Sequence, residues 1–448
     1  MFSFQSFLRV IILVIISGIG LFHAGQAQDT LGLDEAIQLG LQNNYAIQIA
    51  HNESAIAENN ASLGNAGFLP RLSANISKSR SVEDSRTVYS EGSLPDREDE
   101  NAESTTTSAG VSLEWTLFDG LRMFTSYERF NELERLGEQQ ARLTIEQTLQ
   151  EIIIGYYNIT QLKRSLNALE NTAEISRERI RIAETKKDLG SGSEYDLLQA
   201  RADLNADSAA LIRQETALKD AKIVFNQLLA RDSQTEFAVV ENIPLDEQLA
   251  YTDLEQQMLT NNVQLTAARM SQEIAELEVK EVKAERYPEI SVNAGYNYNK
   301  NESGAGFLAF NETNGINYGI TASVDIFDGF NINRRIRNAE IALKNQQLAL
   351  EEQREVIQAN LDSDYQNYIN ALRLVKLESE NLTYAERSVS IALERFKLGT
   401  ISSLELREAQ RTLVSAENRL IEAQYEAKVA ETNLFRLSGQ LTGEGAGE

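Results

Sequence analysis

The 448-residue chain contains no cysteine, four prolines, one tryptophan and two histidines. Without cysteine there is no disulfide framework and no thiolate metal site. The histidines are His23 and His51, and His23 lies within a leader, so a histidine-based general base or triad has only His51 to draw on. His51 stands among polar residues in a helical stretch and reads as a solvated helix residue. Cationic charge is also scarce: 42 Lys and Arg stand against 67 Asp and Glu, a formal net charge of −25. That balance argues against nucleic-acid binding, which needs a basic surface. Beyond the N-terminus no stretch approaches 18 consecutive apolar residues, so any later bilayer crossing requires a closed β-barrel. Gly190-Ser191-Gly192-Ser193 lacks the Lys-Ser/Thr ending and the preceding strand of a phosphate loop. The expectation is a protein that is not an enzyme and carries no cofactor or metal.

Residues 1–27 read as a secretory signal peptide. Arg9 precedes an apolar run from Val10 to Phe22, and Gly25-Gln26-Ala27 offers small residues where a signal peptidase reads them. The run is too short for an ordinary membrane-spanning helix. No Cys follows it to carry a lipid.

The remainder is one unit written twice. Leu41-Gln42-Asn43-Asn44 recurs as Leu259-Thr260-Asn261-Asn262, and Leu69-Pro70 as Tyr287-Pro288, both at an offset of 218. Leu117-Phe118-Asp119-Gly120 recurs as Ile326-Phe327-Asp328-Gly329, and Leu189-Gly190 as Leu398-Gly399, both at 209. The repeats span 28–240 and 241–448, and the first carries about nine extra residues between Pro70 and Asp119. Each reads as helix, strand, loop, strand, long helix, Gly-bearing turn, helix.

Helices are expected over 31–68 and 251–285, with Pro70 and Pro288 closing them. Strands are expected at 72–80, 109–118, 289–299 and 316–327. Ile290, Val292, Ala294, Tyr296 and Tyr298 alternate with Ser291, Asn293, Gly295, Asn297 and Asn299, which gives one apolar and one polar face. Two settings fit: a sheet packed on a soluble core, or strands of a membrane barrel with a wet lumen. Strand length and the aromatics near strand ends (Trp115, Phe118, Tyr296, Tyr298, Tyr318, Phe327) favour the barrel.

Long helices are expected over 121–189 and 330–398, each uninterrupted by Pro and on the order of 100 Å long. Ile357, Leu361, Tyr365, Tyr368 and Leu372 form a coiled-coil-like seam. Returning helices are expected over 193–229 and 402–438. End-to-end stacking is expected to pair 193–229 with 251–285, and 402–438 with 31–68. At the turns, Lys186, Lys187, Arg395 and Lys397 suit helix C-termini, and Gly190 and Gly399 suit the left-handed position that follows. Ser193 to Asp196 and Ser402 to Glu405 fit the capping box, loosely with Asp and properly with Glu.

The duplicated order, the Phe-Asp-Gly turns and the Leu-Gly-Ser and Leu-Gly-Thr tips resemble the TolC-like outer membrane efflux family over essentially the whole mature chain. The resemblance implies a mainly α fold with a membrane β-barrel: a homotrimer whose four strands per subunit form one 12-stranded barrel in outer-membrane lipid. Coiled-coil-like helical hairpins would form a periplasmic tunnel. It implies a passive exit duct, its tips (Leu189, Gly190, Ser191; Leu398, Gly399, Thr400) meeting a periplasmic adaptor coupled to an inner-membrane transporter. Small-molecule export leads; type I protein secretion and a structural coiled-coil stalk are the alternatives. The family's periplasmic gate carboxylates fall on Asp196, Glu405 and Glu408, although first-turn acids also suit the helix dipole, and Glu405 a capping box. Where the family often has a basic latch residue, this chain has Ile401, and Phe396 replaces the expected Tyr.

Overall fold

A computed structural model describes residues 30–90, 95–305 and 308–441. The signal peptide at 1–27 lies outside the described residues. A short strand β1 (Thr30–Leu31) leads into helices α1 (Leu33–Asn43) and α2 (Tyr45–Asn60), then strands β2 (Arg71–Thr87) and β3 (Arg97–Asp119). The long helix α3 (Arg122–Asp188) turns back into α4 (Glu194–Leu228), and β4 (Ala238–Val239) begins the linker to the second repeat. There α5 (Tyr251–Asn261), α6 (Val263–Ala284), β5 (Glu289–Ser303), β6 (Phe310–Ser323), α7 (Asn331–Lys397) and α8 (Ser403–Leu437) follow the same order.

Both long helices run 67 residues, about 100 Å at 1.5 Å per residue. Each is launched by the Asp-Gly turn. Asp119 accepts from the Met123 backbone N–H at 3.1 Å, and Asp328 accepts from those of Asn331 and Ile332 at 3.0 and 2.6 Å. These carboxylates satisfy orphan donors of the first helical turn. Two successive left-handed residues, Gly120-Leu121 and Gly329-Phe330, swing the chain from strand to helix.

The helices expected over 31–68 and 251–285 are each two helices, a correction the Asn-Asn landmarks explain. Asn44 and Asn262 take extended backbone angles and cap the next helix, Asn44 accepting from Ala46 N–H at 2.8 Å and Asn262 from Leu265 N–H at 2.9 Å. Their amide groups donate across to the last carbonyls of the returning helices, Asn44 to Leu228 at 2.8 Å and Asn262 to Leu437 at 2.9 Å. End-to-end stacking therefore lies within each repeat, α4 on α2 and α8 on α6. The expected pairings of 193–229 with 251–285 and of 402–438 with 31–68 are incorrect. The reason is that the linker between the repeats does not continue the helix. It pairs β4 in parallel with β1, and Tyr156 pins it by donating to Leu31 O at 3.0 Å and accepting from Val240 N–H at 3.2 Å. Two apolar clusters pack at this level, one around Ile152, Tyr156, Phe225 and Phe237, the other around Met258, Ile357, Leu361 and Tyr368.

The antiparallel sheet has the order β2-β3-β5-β6. Leu72, Leu113, Ala294 and Tyr318 align across all four strands, as do Ser73, Ser112, Gly295 and Asn317 one residue along. The register thus collects the apolar alternation on one face and the polar alternation on the other. Strands β2 and β3 run well past the expected 72–80 and 109–118, because the mostly polar residues from Ser81 to Thr87 go on pairing with Arg97 to Ser104. Strand β6 ends at Ser323, short of the expected 327. Its last partner is Glu289, and the preceding Pro288 has no N–H to extend the ladder. Among the described residues no helix packs along either face of the sheet, and no helix is long and apolar enough to cross a membrane.

Candidate functional site at the hairpin tips

The two helical hairpins end side by side at the pole opposite the sheet. In the first, Gly190 has φ +72°, and Ser191 and Gly192 both donate their N–H groups to Lys186 O at 2.9 Å. In the second, Gly399 has φ +74°, and Thr400 donates its N–H to Arg395 O at 2.9 Å and its hydroxyl to the same oxygen at 3.1 Å. Both turns satisfy carbonyls that a helix C-terminus leaves open. Leu189, Leu398 and Leu404 are 77–78% exposed, so each tip presents apolar side chains to its surroundings.

The hairpins restart differently. Ser402 and Glu405 form a reciprocal capping box: Glu405 N–H donates to Ser402 Oγ at 3.2 Å, and Ser402 N–H donates to Glu405 Oε2 at 2.8 Å. These bonds, with Arg395 nearby, hold the Glu405 carboxyl below its ordinary range. Ser193 Oγ accepts from Asp196 N–H at 3.1 Å and donates to Asp196 Oδ2 at 2.7 Å. Glu408 stands exposed on α8, 4.0 Å from Arg411. Among the described residues no hydrogen bond or ion pair joins Asp196, Glu405 and Glu408 within one chain.

A cleft of about 790 Å³ lies between the tips, lined by Lys186, Leu189, Asp196, Phe396 and Ile401 among others. Its bridging cation comes from the first hairpin. Lys186 Nζ donates to Phe396 O at 2.7 Å and sits 4.3 Å from the centre of the Phe396 ring. Ile401 lines this cleft as an apolar residue.

Deeper in the bundle lies a polar cluster that the sequence reading did not single out. Arg407 of α8 grips Asp207 of α4 through two bonds of 2.8 and 2.7 Å, and Ser176 of α3 donates to Asp207 at 2.7 Å. Arg179 of α3 pairs with Asp203 of α4 and donates to Gln410 Oε1 of α8 at 3.2 Å. Asp207 holds the Arg407 guanidinium above its ordinary pKa, against the opposing effect of burial. A signal was present: Ala173, Ser176, Arg179 and Ala183 share one helical stripe, and all are buried. A charged residue on an inward stripe marks a partner across the seam.

Comparison with known proteins places this geometry. The family model described as "Outer membrane efflux protein" matches residues 36–231 and 254–440. The chain is similar to the outer membrane efflux protein BepC of Brucella suis, with 21% identity covering 97% of this chain and 90% of that protein. It is also similar to the alkaline protease secretion protein AprF of Pseudomonas aeruginosa, with 22% identity covering 92% and 85%. In fold it resembles the CmeC outer membrane channel of Campylobacter jejuni, with a TM-score of 0.75, 16% identity and coverage of 91% and 85%.

Proposed function

From the premise that the chain belongs to the outer membrane efflux protein family, we propose that it is the outer-membrane exit duct of a tripartite export system. One observation carries this reading: a four-stranded sheet with aligned apolar and polar faces, uncovered by any helix among the described residues, continues directly into two hairpins about 100 Å long. Such a sheet fits lipid outside and water inside. The family is one of channels, and passive conduction needs no catalytic group.

The duct is a homotrimer in this reading. Four strands cannot enclose an aqueous lumen, and the free edges of β2 and β6 leave backbone groups unpaired in lipid at several kcal/mol each. Three copies joined edge to edge make a 12-stranded barrel. Exposed Ile341, Leu348, Leu377, Tyr384 and Ile391 on α7 supply an apolar stripe for a neighbouring copy. The tips, with exposed Leu189 and Leu398, meet a periplasmic adaptor that links the duct to an inner-membrane transporter. Asp196, Glu405 and Glu408 from three subunits line the periplasmic mouth, where clustered carboxylates favour cations.

The transported class follows the pump. Small-molecule efflux is the leading reading, in line with BepC. Protein secretion is the second, favoured by the comparable match to AprF. Purified protein in planar bilayers tests the duct, with discrete conductance steps expected. Deleting the gene then separates the two cargoes: sensitivity to toxic small molecules supports efflux, and loss of one secreted protein from the medium supports secretion.

A further inference from the structure

In a chain of net charge −25, the start of α7 runs the other way: Arg334, Arg335 and Arg337 fall within a stretch, 331–339, that holds no acid. A helix N-terminus carries positive partial charge, so cations there oppose the macrodipole and helix formation does not account for them. Lys283 and Arg286, at the end of α6, lie alongside. Lys283 pairs with Glu340 at 3.0 Å, Arg335 pairs with Glu285 at 2.5 Å, and Arg286 donates to the neutral Asn333 at 2.7 Å. Arg334 and Arg337 are exposed and, among the described residues, have no ion-pair partner.

The first repeat builds the same joint without these five cations. At the offset of 209, Arg334, Arg335 and Arg337 correspond to Thr125, Ser126 and Glu128; at 218, Lys283 and Arg286 correspond to Asn65 and Phe68. Where Arg286 meets Asn333, the first repeat has Phe68 edge-on to Phe124, ring centres 4.9 Å apart. The joint between sheet and helix therefore does not require the basic patch.

Its depth fits a lipid surface. The apolar face of β6 continues into Ile326, Phe327 and Phe330, which are 68–95% exposed. Aromatic residues favour the boundary between hydrocarbon and water. Arg334 and Arg337 follow Phe330 along α7 by about 6 and 10 Å at 1.5 Å per residue. A headgroup layer is about 5–8 Å thick on each side of a bilayer, so both guanidinium groups reach the level of the phosphates. Their planar donors match phosphate oxygens.

We propose that the Arg334–Arg337 patch, with Lys283 and Arg286, binds the headgroup phosphates of anionic phospholipids in the periplasmic leaflet, at the joint of the second repeat and not of the first. This site rests on the duct reading. Arg334 precedes Ile341 of the α7 stripe by two helical turns, so a neighbouring copy is the competing occupant; the spread of cations from α7 onto α6 favours lipid.

Fluorescence quenching of the assembled full-length protein in lipid vesicles tests the site. The absence of native cysteine allows a single fluorophore on Asn338→Cys, beside the patch, or on Glu128→Cys at the first joint. The quenchers are phosphatidylglycerol and phosphatidylcholine, each spin-labelled at the top of an acyl chain. At equal content, phosphatidylglycerol is expected to quench the Asn338 site severalfold more strongly, with no such preference at Glu128. Arg334→Gln with Arg337→Gln should abolish the preference, and the paired Lys variants should retain part of it. Should the double Gln variant fail to assemble, Arg337→Gln alone is expected to reduce the preference. Equal quenching by the two lipids in the parent, or a preference that survives the double Gln change, overturns the lipid site. So does its erasure by millimolar inorganic phosphate at constant ionic strength, which would assign the patch to the free ion. Dissociation of the double Gln oligomer in lipid-free neutral detergent, where the parent stays assembled, would assign it to a subunit contact and likewise overturns it. Failure of either lipid to quench either label overturns the membrane placement of the sheet, and the duct reading with it.

Discussion

Asp196 and Glu405 are related by the 209-residue repeat, yet one methylene decides what each carboxylate reaches. Glu405 closes a capping box on Ser402 N–H, whereas Asp196 binds the Ser193 hydroxyl and faces the cleft between the tips. Glu408 lies past the first turn, so capping does not account for it. Replacing Asp196→Asn together with Glu408→Gln is expected to lower cation selectivity and divalent block in single-channel recordings. Unchanged selectivity and block would reduce these carboxylates to helix-start chemistry. At Gly190 an added Cβ meets nothing within 4 Å, so only the φ of +72° resists substitution, at about 1 kcal/mol. Gly190→Asp should therefore leave barrel assembly intact while weakening adaptor engagement. Cross-linking yields to the adaptor equal to those of the parent would count against a docking role for the tip.

At the scale of elements, the joints between stacked helices depend on single asparagines. Asn262 is 3% exposed, caps α6 and occupies the last carbonyl of α8. Asn262→Ala removes both bonds and leaves the Leu437 carbonyl unpaired, a loss of about 1–3 kcal/mol in unfolding free energy, read from denaturant titration. In the second hairpin, burial first and then the charge of Glu386 push the Glu417 carboxyl above its ordinary range. A raised carboxyl pKa contributes stability that is full below the unfolded value and lost as pH rises through the folded one. Glu417→Gln is therefore expected to raise Tm at neutral pH, with the gap closing below about pH 4. A constant difference across that range would show that the effect is packing and not charge.

For the whole molecule, assembly is the decisive property. The sheet buries neither face in one chain, and β2 and β6 are exposed along nearly their whole length. A stable oligomer near three times the mass of the chain without its signal peptide is expected from light scattering in mild detergent, after correction for bound detergent. A folded, stable monomer there would sink the duct. Substituting Leu348 and Leu377 by Glu on the α7 stripe is expected to shift that mass downward, whereas the same change at Leu189, on a tip, leaves it unaltered.

Much of this was legible in the chain itself. The absence of proline between residues 121 and 189 permits one long helix, Gly190 and Gly399 end the two, and period-two alternation from Ile290 to Asn299 gives β5 its two faces. These are local properties, set by backbone angles, missing donors and side-chain direction within a few residues. The breaks at Asn44 and Asn262 were harder to see, because an asparagine inside a helical pattern declares itself only when a distant carbonyl, Leu228 or Leu437, arrives to accept its amide. The stacking of α4 on α2 and the early end of β6 likewise depend on partners far along the chain. So does the pairing of Arg407 with Asp207, two hundred residues apart, which no local pattern encodes. Sequence determined where the chain stiffens, turns and alternates. Tertiary structure alone decided which stiff segments meet, because contact between remote residues follows from how whole helices and strands pack together.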